Sequence, residues 1–116
     1  MEHLHGFSVI VPCHNAARTL DKCLRALLNS NYPSELFEVI VSDDISTDNS
    51  LEIARAQNVR VVETDQKTGP AGARNRGAEA AANEYLIFID SDVIASPDTL
   101  RQFNEAINRY PDYCVI

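Results

Sequence analysis

Tyr85-Leu86-Ile87-Phe88-Ile89 is the most apolar run of the chain, and it leads straight into Asp90-Ser91-Asp92. Five apolar residues without polar alternation suit a strand covered on both faces, the condition of a parallel sheet. Two acids gain nothing from ending such a strand unless something positive meets them, so this junction marks both a fold and a candidate site.

Other short apolar runs lie on either side of it. Phe7-Ser8-Val9-Ile10-Val11 reads as a buried strand that stops at Pro12, which cannot donate to a ladder. Phe37 to Ser42, Val59 to Glu63 and Tyr113 to Ile116 supply three more, giving five strands. Between them lie helical patterns. Leu20, Cys23, Leu24, Leu27 and Leu28 fall on one helix face, closed by Tyr32-Pro33. Ser46 or Thr47 is placed to cap a helix running to about Gln57, with Asp48 as a surface residue against its dipole. Ala71 to Ala82 is small-residue-rich and suits a helix packed closely on a sheet, and Ser96-Pro97 opens a last helix to about Tyr110. Strands alternating with single helices define an α/β fold: a mostly parallel, Rossmann-like sheet flanked by helices, in one domain spanning residues 1–116.

Composition narrows the function. Ten Lys and Arg stand against 17 Asp and Glu, a formal charge of −7, so the surface repels nucleic acid and anionic lipid. No nucleic-acid partner is expected. No apolar run approaches the ~20 residues of a bilayer span, and the Met1-Glu2-His3-Leu4-His5 start lacks the pattern of a signal peptide. The expectation is a cytoplasmic protein, brought to the inner face of a membrane only through other segments or partners. Cys13, Cys23 and Cys114 form no CxxC pair and read as small apolar residues of a reducing compartment.

In a parallel sheet, ligands bind beyond the carboxyl ends of the strands. Three such ends carry polar clusters: Pro12-Cys13-His14-Asn15, Asp43-Asp44 and Asp90-Ser91-Asp92. Clustered carboxylates need a counter-charge, and Mg²⁺ or Mn²⁺ takes one or two of them and completes its shell with water and phosphate oxygens. A metal of this kind would let an acidic chain hold an anionic nucleotide. His14 reads as a polar loop residue, since no second His stands at ligand spacing. Arg74 and Arg76 are either exposed helix charges or, for Arg74, a fork facing a diphosphate.

Four stretches in order, residues 7–15, 39–48, 69–77 and 84–92, resemble the successive motifs of family 2 glycosyltransferases. The resemblance covers residue 7 to about 112. It implies the GT-A fold, an inverting transfer from a nucleotide-diphosphate sugar, with a lean to uridine, to the hydroxyl of a carbohydrate or lipid-linked acceptor, and a divalent metal, Mn²⁺ or Mg²⁺. Matched by position, Pro12 and Asn15 would line the nucleotide pocket, Asp44 would bond the base with Asp43 beside it, and Arg74 would lie near base and phosphates. Asp90-Ser91-Asp92 matches the Asp-x-Asp motif, with Asp92 on the metal and Asp90 on the ribose or the metal. Two departures stand out. Ile45 occupies a turn position where the family carries a small residue, and Val93 one where many members carry another acid.

The family's general base lies in an acceptor-binding half that follows the fifth strand. Asp98, Glu105 and Asp112 are poor substitutes, placed on or after a helix leading away from the motif. The expectation is therefore a donor-binding portion that lacks its base, with self-association through surface that the missing half would cover. The rival of another class is a binding-only chain with the same fold. A haloacid-dehalogenase-type phosphotransferase, with Asp90 as nucleophile and Asp92 as acid/base, is weaker, because that motif opens its domain and needs a downstream Lys, and none follows Lys67. A receiver domain would place its acidic pair after the first strand, where Cys13-His14-Asn15 stands, and no GxGxxG is present for a dinucleotide site.

Overall fold

A computed structural model describes residues 3–110 of the protein. Its first strand, β1 (Phe7–Cys13), is central and pairs in parallel with β2 (Phe37–Asp43) on one side and β4 (Tyr85–Phe88) on the other. The third, β3 (Arg60–Glu63), adds to the far edge of β2, so the described sheet has four parallel strands in the order β3-β2-β1-β4. The expected fifth strand, Tyr113 to Ile116 with Cys114, lies outside the described residues.

Strand alternation assigns the two faces. Phe7, Val9, Val11, Val39 and Val41 point to a core completed by Leu20, Cys23, Leu24 and Leu27 of α1 (Leu20–Leu28). Ala54 of α2 (Ser50–Arg55) and Leu100 and Ile107 of α4 (Thr99–Arg109) join the same cluster. Each fully buried Leu, Val or Phe contributes about 1.5–3 kcal/mol relative to exposure. Ile10, in register with Ile40, faces the other way, toward α3 (Gly69–Ala80). The contact there is tight: a Cβ built on Gly77 would stand 2.5 Å from Ile10 Cγ2. Small residues on α3 are thus what lets the helix lie on the sheet.

Several boundaries differ from expectation, among them that of α3, which spans Gly69–Ala80 where Ala71 to Ala82 was expected. β1 runs through Pro12 to Cys13. Ile10 O accepts from Ile89 N and Cys13 O from Asp44 N, so the missing donor of Pro12 faces the β4 side, where the ladder has already ended at Phe88. The second helix begins at Ser50, after Asn49, because Ser46 is engaged by Asp43 and Asn15 and Thr47 by Asn15. The last begins at Thr99 after Asp98, with the hydroxyl of Ser96, which precedes the helix, 3.2 Å from that of Thr99. No helix among the described residues is long and apolar enough to cross a membrane.

Candidate functional site

The loops after β1 and β2 are stitched to each other. Asn15 takes a positive φ of 49°, which asparagine tolerates, and its Oδ1 accepts from Thr47 N at 2.7 Å and Asp48 N at 3.2 Å. Its own N–H goes to Ser46 Oγ at 2.9 Å, and Ala16 N donates to Ser50 Oγ at 2.9 Å. Asp48 does more than face a helix end: its carboxylate accepts from Ala17 N and from both the N–H and the hydroxyl of Ser50. The Ser50 hydroxyl is the largest cause holding the Asp48 pKa below its ordinary value.

Asp43 and Asp44 separate in role. Asp43 turns inward: Oδ1 accepts the Ser46 hydroxyl at 2.6 Å and Oδ2 the Ser46 N–H at 3.1 Å, closing a turn in which Ile45 has φ 52°. The turn position flagged in the sequence is therefore left-handed despite its β-branched residue, a conformation that costs about 1–2 kcal/mol and that the Asp43–Ser46 bonds hold. Asp44, only 2% exposed, reaches across to α3. Its Oδ1 accepts from Thr68 N at 2.8 Å and Thr64 Oγ1 at 2.9 Å, and its Oδ2 accepts from Gly69 N at 2.8 Å. The helix has no cap from Thr68's own side chain, so a carboxylate 24 residues earlier in the chain than Thr68 satisfies its first N–H groups at the positive end of the dipole. Desolvation alone would raise the Asp44 pKa, but the bonds from Thr68, Thr64 and Gly69 outweigh it and hold the group below the ordinary 3.8.

Beyond these strand ends opens a cavity of about 580 Å³. Pro12 and Asn15 line it from the β1 loop, Asp44 from β2, Arg74 from α3, and Asp90, Ser91 and Asp92 from the β4 loop. Asp43, buried behind the turn, does not line it. Asp90 and Asp92 are exposed, and Arg74 Nη2 stands 3.8 Å from Asp90 Oδ1, a cation held loosely among acids. Ser91 is half-buried between the two acids.

Two wall residues carry more than the sequence suggested. His14, read as a plain loop residue, donates from Nδ1 to the Asp44 carbonyl at 2.7 Å, and Lys67 Nζ lies 2.9 Å from its Nε2. Both line the cavity. The one available signal was position, since Lys67 stands just before the Gly69-Pro70 start of the helix that Asp44 caps.

Cys13 and Cys23 are both buried and keep their apolar role. Burial raises the Cys13 pKa, and burial, followed by the charges of Asp92, Cys13 and Asp90, pushes Cys23 up to about 11. Among the described residues no group of three or more His, Cys, Asp or Glu could cage a metal. The donor set that remains, two exposed carboxylates on one loop, suits a hard cation that takes one or two protein oxygens and shares a phosphate ligand.

A three-layer parallel α/β fold with its cavity at the carboxyl ends of β1, β2 and β4 is the nucleotide-binding architecture of GT-A proteins. The chain belongs to glycosyl transferase family 2, whose model matches residues 8–116. It is 38% identical over 104 residues to a poly(ribitol-phosphate) beta-glucosyltransferase of Bacillus spizizenii, covering 84% of this chain and 16% of that protein. Among solved structures it resembles S. aureus TarS 1-349 in complex with UDP-GlcNAc, with a TM-score of 0.84 and 32% identity over 91% of this chain and 32% of that one. It also resembles the mannosyltransferase PcManGT from Pyrobaculum calidifontis in complex with GDP-Man and Mn²⁺, with a TM-score of 0.82 and 26% identity over 95% of this chain and 33% of that one. The chain thus spans a third or less of the length of these relatives.

Proposed function

We propose that residues 1–116 form the nucleotide-sugar-binding portion of an inverting glycosyltransferase that takes a UDP-linked donor. The observation that carries the reading is the meeting, in one cavity, of Asp44, Arg74 and the Asp90-Ser91-Asp92 loop from three different elements. The base would lie against Asp44, whose Oδ2 accepts one protein hydrogen bond and keeps room for a second. Pro12 and Asn15 form the adjoining wall. Arg74, whose fork matches two phosphate oxygens, would take the diphosphate, with Asp90 holding the ribose or sharing the metal. Asp92, helped by Asp90, would hold Mn²⁺ or Mg²⁺, and the metal when bound would offset the charge of the diphosphate leaving group. A relative's complex with UDP-GlcNAc and another's with Mn²⁺ support donor and metal.

In the transfer itself an acceptor hydroxyl, of a carbohydrate or lipid-linked molecule, would attack the anomeric carbon opposite the diphosphate, forming one C–O bond as the other breaks. Its proton must pass to a base. Asp44, Asp90 and Asp92 are the carboxylates lining the cavity, and each is assigned above, so the base comes from outside the described residues. The chain should accordingly bind donor without transferring sugar. Calorimetry with UDP, with and without Mn²⁺, tests the reading: tighter binding with metal is expected, and equal affinity in the two conditions overturns it.

A further inference from the structure

The His14–Lys67 contact suggests how the base is chosen, an inference that rests on the donor-site reading above. A backbone carbonyl can only accept, so the 2.7 Å contact between His14 Nδ1 and Asp44 O puts the ring proton on Nδ1. Nε2 therefore presents a lone pair, which accepts from Lys67 Nζ at 2.9 Å and is approached by Asn15 Nδ2 at 3.4 Å. One imidazole thus ties an ammonium to Asp44, which lines the cavity. Lys67 is exposed and, among the described residues, has no carboxylate partner, so at least one of its three N–H groups remains to serve a ligand. The cavity wall then offers an anionic acceptor, Asp44, beside a cationic donor, Lys67. Uracil presents a ring N–H next to carbonyl oxygens, whereas cytosine presents an unprotonated ring nitrogen next to an amino group.

We propose that Lys67 is a specificity-determining residue that donates to a carbonyl oxygen of a keto nucleobase whose ring N–H is taken by Asp44, and that His14 is the positioning residue that aims it. Cytosine at the same place would set its amino group against the ammonium. A charge-assisted bond of this kind is worth roughly tenfold to a hundredfold in affinity.

The test measures UDP and CDP affinity by calorimetry at saturating Mn²⁺ for the unaltered chain, Lys67→Met, His14→Ala and His14→Gln. The unaltered chain should prefer UDP, and Lys67→Met should shrink the UDP-to-CDP ratio by about tenfold or more. His14→Ala should shrink it less, and His14→Gln should restore it, since an amide can donate to the Asp44 carbonyl and accept from Lys67. A merely structural His14 would instead weaken both nucleotides alike, with no rescue of the ratio. An equal loss of UDP and CDP in Lys67→Met assigns the lysine to the phosphates and overturns the proposal, as does an unchanged ratio or an unaltered chain without base preference. Those results leave the donor site standing. Failure of the unaltered chain to bind either nucleotide removes the donor-site reading, and this inference with it.

Discussion

Asp44 and Asp92 face the same cavity under opposite conditions. Asp44 is 2% exposed, and its oxygens are engaged by Thr64, Thr68 and Gly69. Asp92 is exposed on a loop whose neighbouring carboxylate, Asp90, is itself 69% exposed at the side chain. The first is a folding residue as well as a cavity residue, because removing it orphans helix N–H groups. The second contributes little to the fold and is free to answer to whatever enters. One cavity thus has a wall fixed before any ligand arrives and a rim whose charge awaits a partner.

The sharpest break of this contrast is Asp44→Ala. It strands the N–H groups of Thr68 and Gly69 and leaves the Thr64 hydroxyl only the Asp43 carbonyl at 3.5 Å, and should cost about 2–4 kcal/mol of stability, read as a lowered urea midpoint. Loss of base recognition would follow partly from a loosened α3, so an affinity change in this variant needs a stability measurement beside it. If the midpoint stays put, Asp44 is not the cap that the geometry makes it.

Gly77→Ala disturbs the same wall from its far end. The added methyl would lie 2.5 Å from Ile10 Cγ2, on a β-branched side chain in the central strand, so the helix or the strand must shift. A loss of about 1–3 kcal/mol is expected. A crystal structure of the variant should show movement at α3 and Asp44 while the Asp90 to Asp92 loop, on the other side of β1, keeps its place.

Acid sharpens the comparison differently. The Asp44 and Asp48 pKa values are both lowered in the fold, so their stabilisation is fully present above the ordinary carboxylate value of 3.8 and is lost as pH falls through the lowered folded values. Urea midpoints taken from neutral pH down to about 2 should fall in that acid window, and less steeply in Asp44→Ala, which has already lost its share. Identical slopes would remove Asp44 from the linkage.

The amino-acid pattern disclosed the α/β order, the parallel β1 to β4 and the extent of α1, because apolar spacing is a local signal. It misplaced features set by partners distant in sequence. Ser46 and Thr47 look like caps until Asp43 and Asn15 claim them, which delays α2 to Ser50. Pro12 looks like a strand end until the sheet order puts its missing donor beyond the β4 ladder. Asp43 and Asp44 read as a pair, yet strand alternation points one into the turn and the other at α3. Asp48 reads as surface and His14 as a loop residue because nothing near them in sequence shows Ala17 or Lys67 as a partner.

Ile45→Gly probes the strain stored on the prebuilt side. Glycine adopts φ 52° freely, and the exposed Ile45 side chain, 42% accessible, has little packing to lose. Relief of the left-handed strain, less glycine's larger chain entropy, should raise stability by up to ~1 kcal/mol. A drop in melting temperature would mean that Ile45 packs against something more than its turn.

Asp92→Asn should have the smallest effect on the fold and the cleanest on the site. The side chain is exposed and makes no hydrogen bond or ion pair among the described residues, so the amide should leave stability within ~0.5 kcal/mol of the unaltered chain, as surface substitutions do. What it removes is a negative charge at the rim, and with it the oxygen chemistry that a hard cation requires. The difference in UDP affinity with and without Mn²⁺ should therefore collapse, while metal-free affinity should hold or rise slightly, since one like charge facing the diphosphate has gone. Asp44→Ala, corrected for stability, should do the reverse: it should weaken UDP binding in both conditions and leave the ratio between them in place. If Asp92→Asn keeps the full metal effect, the cation is held by Asp90 or by the nucleotide alone, and the division between a finished wall and a waiting rim must be redrawn with Asp92 outside the site.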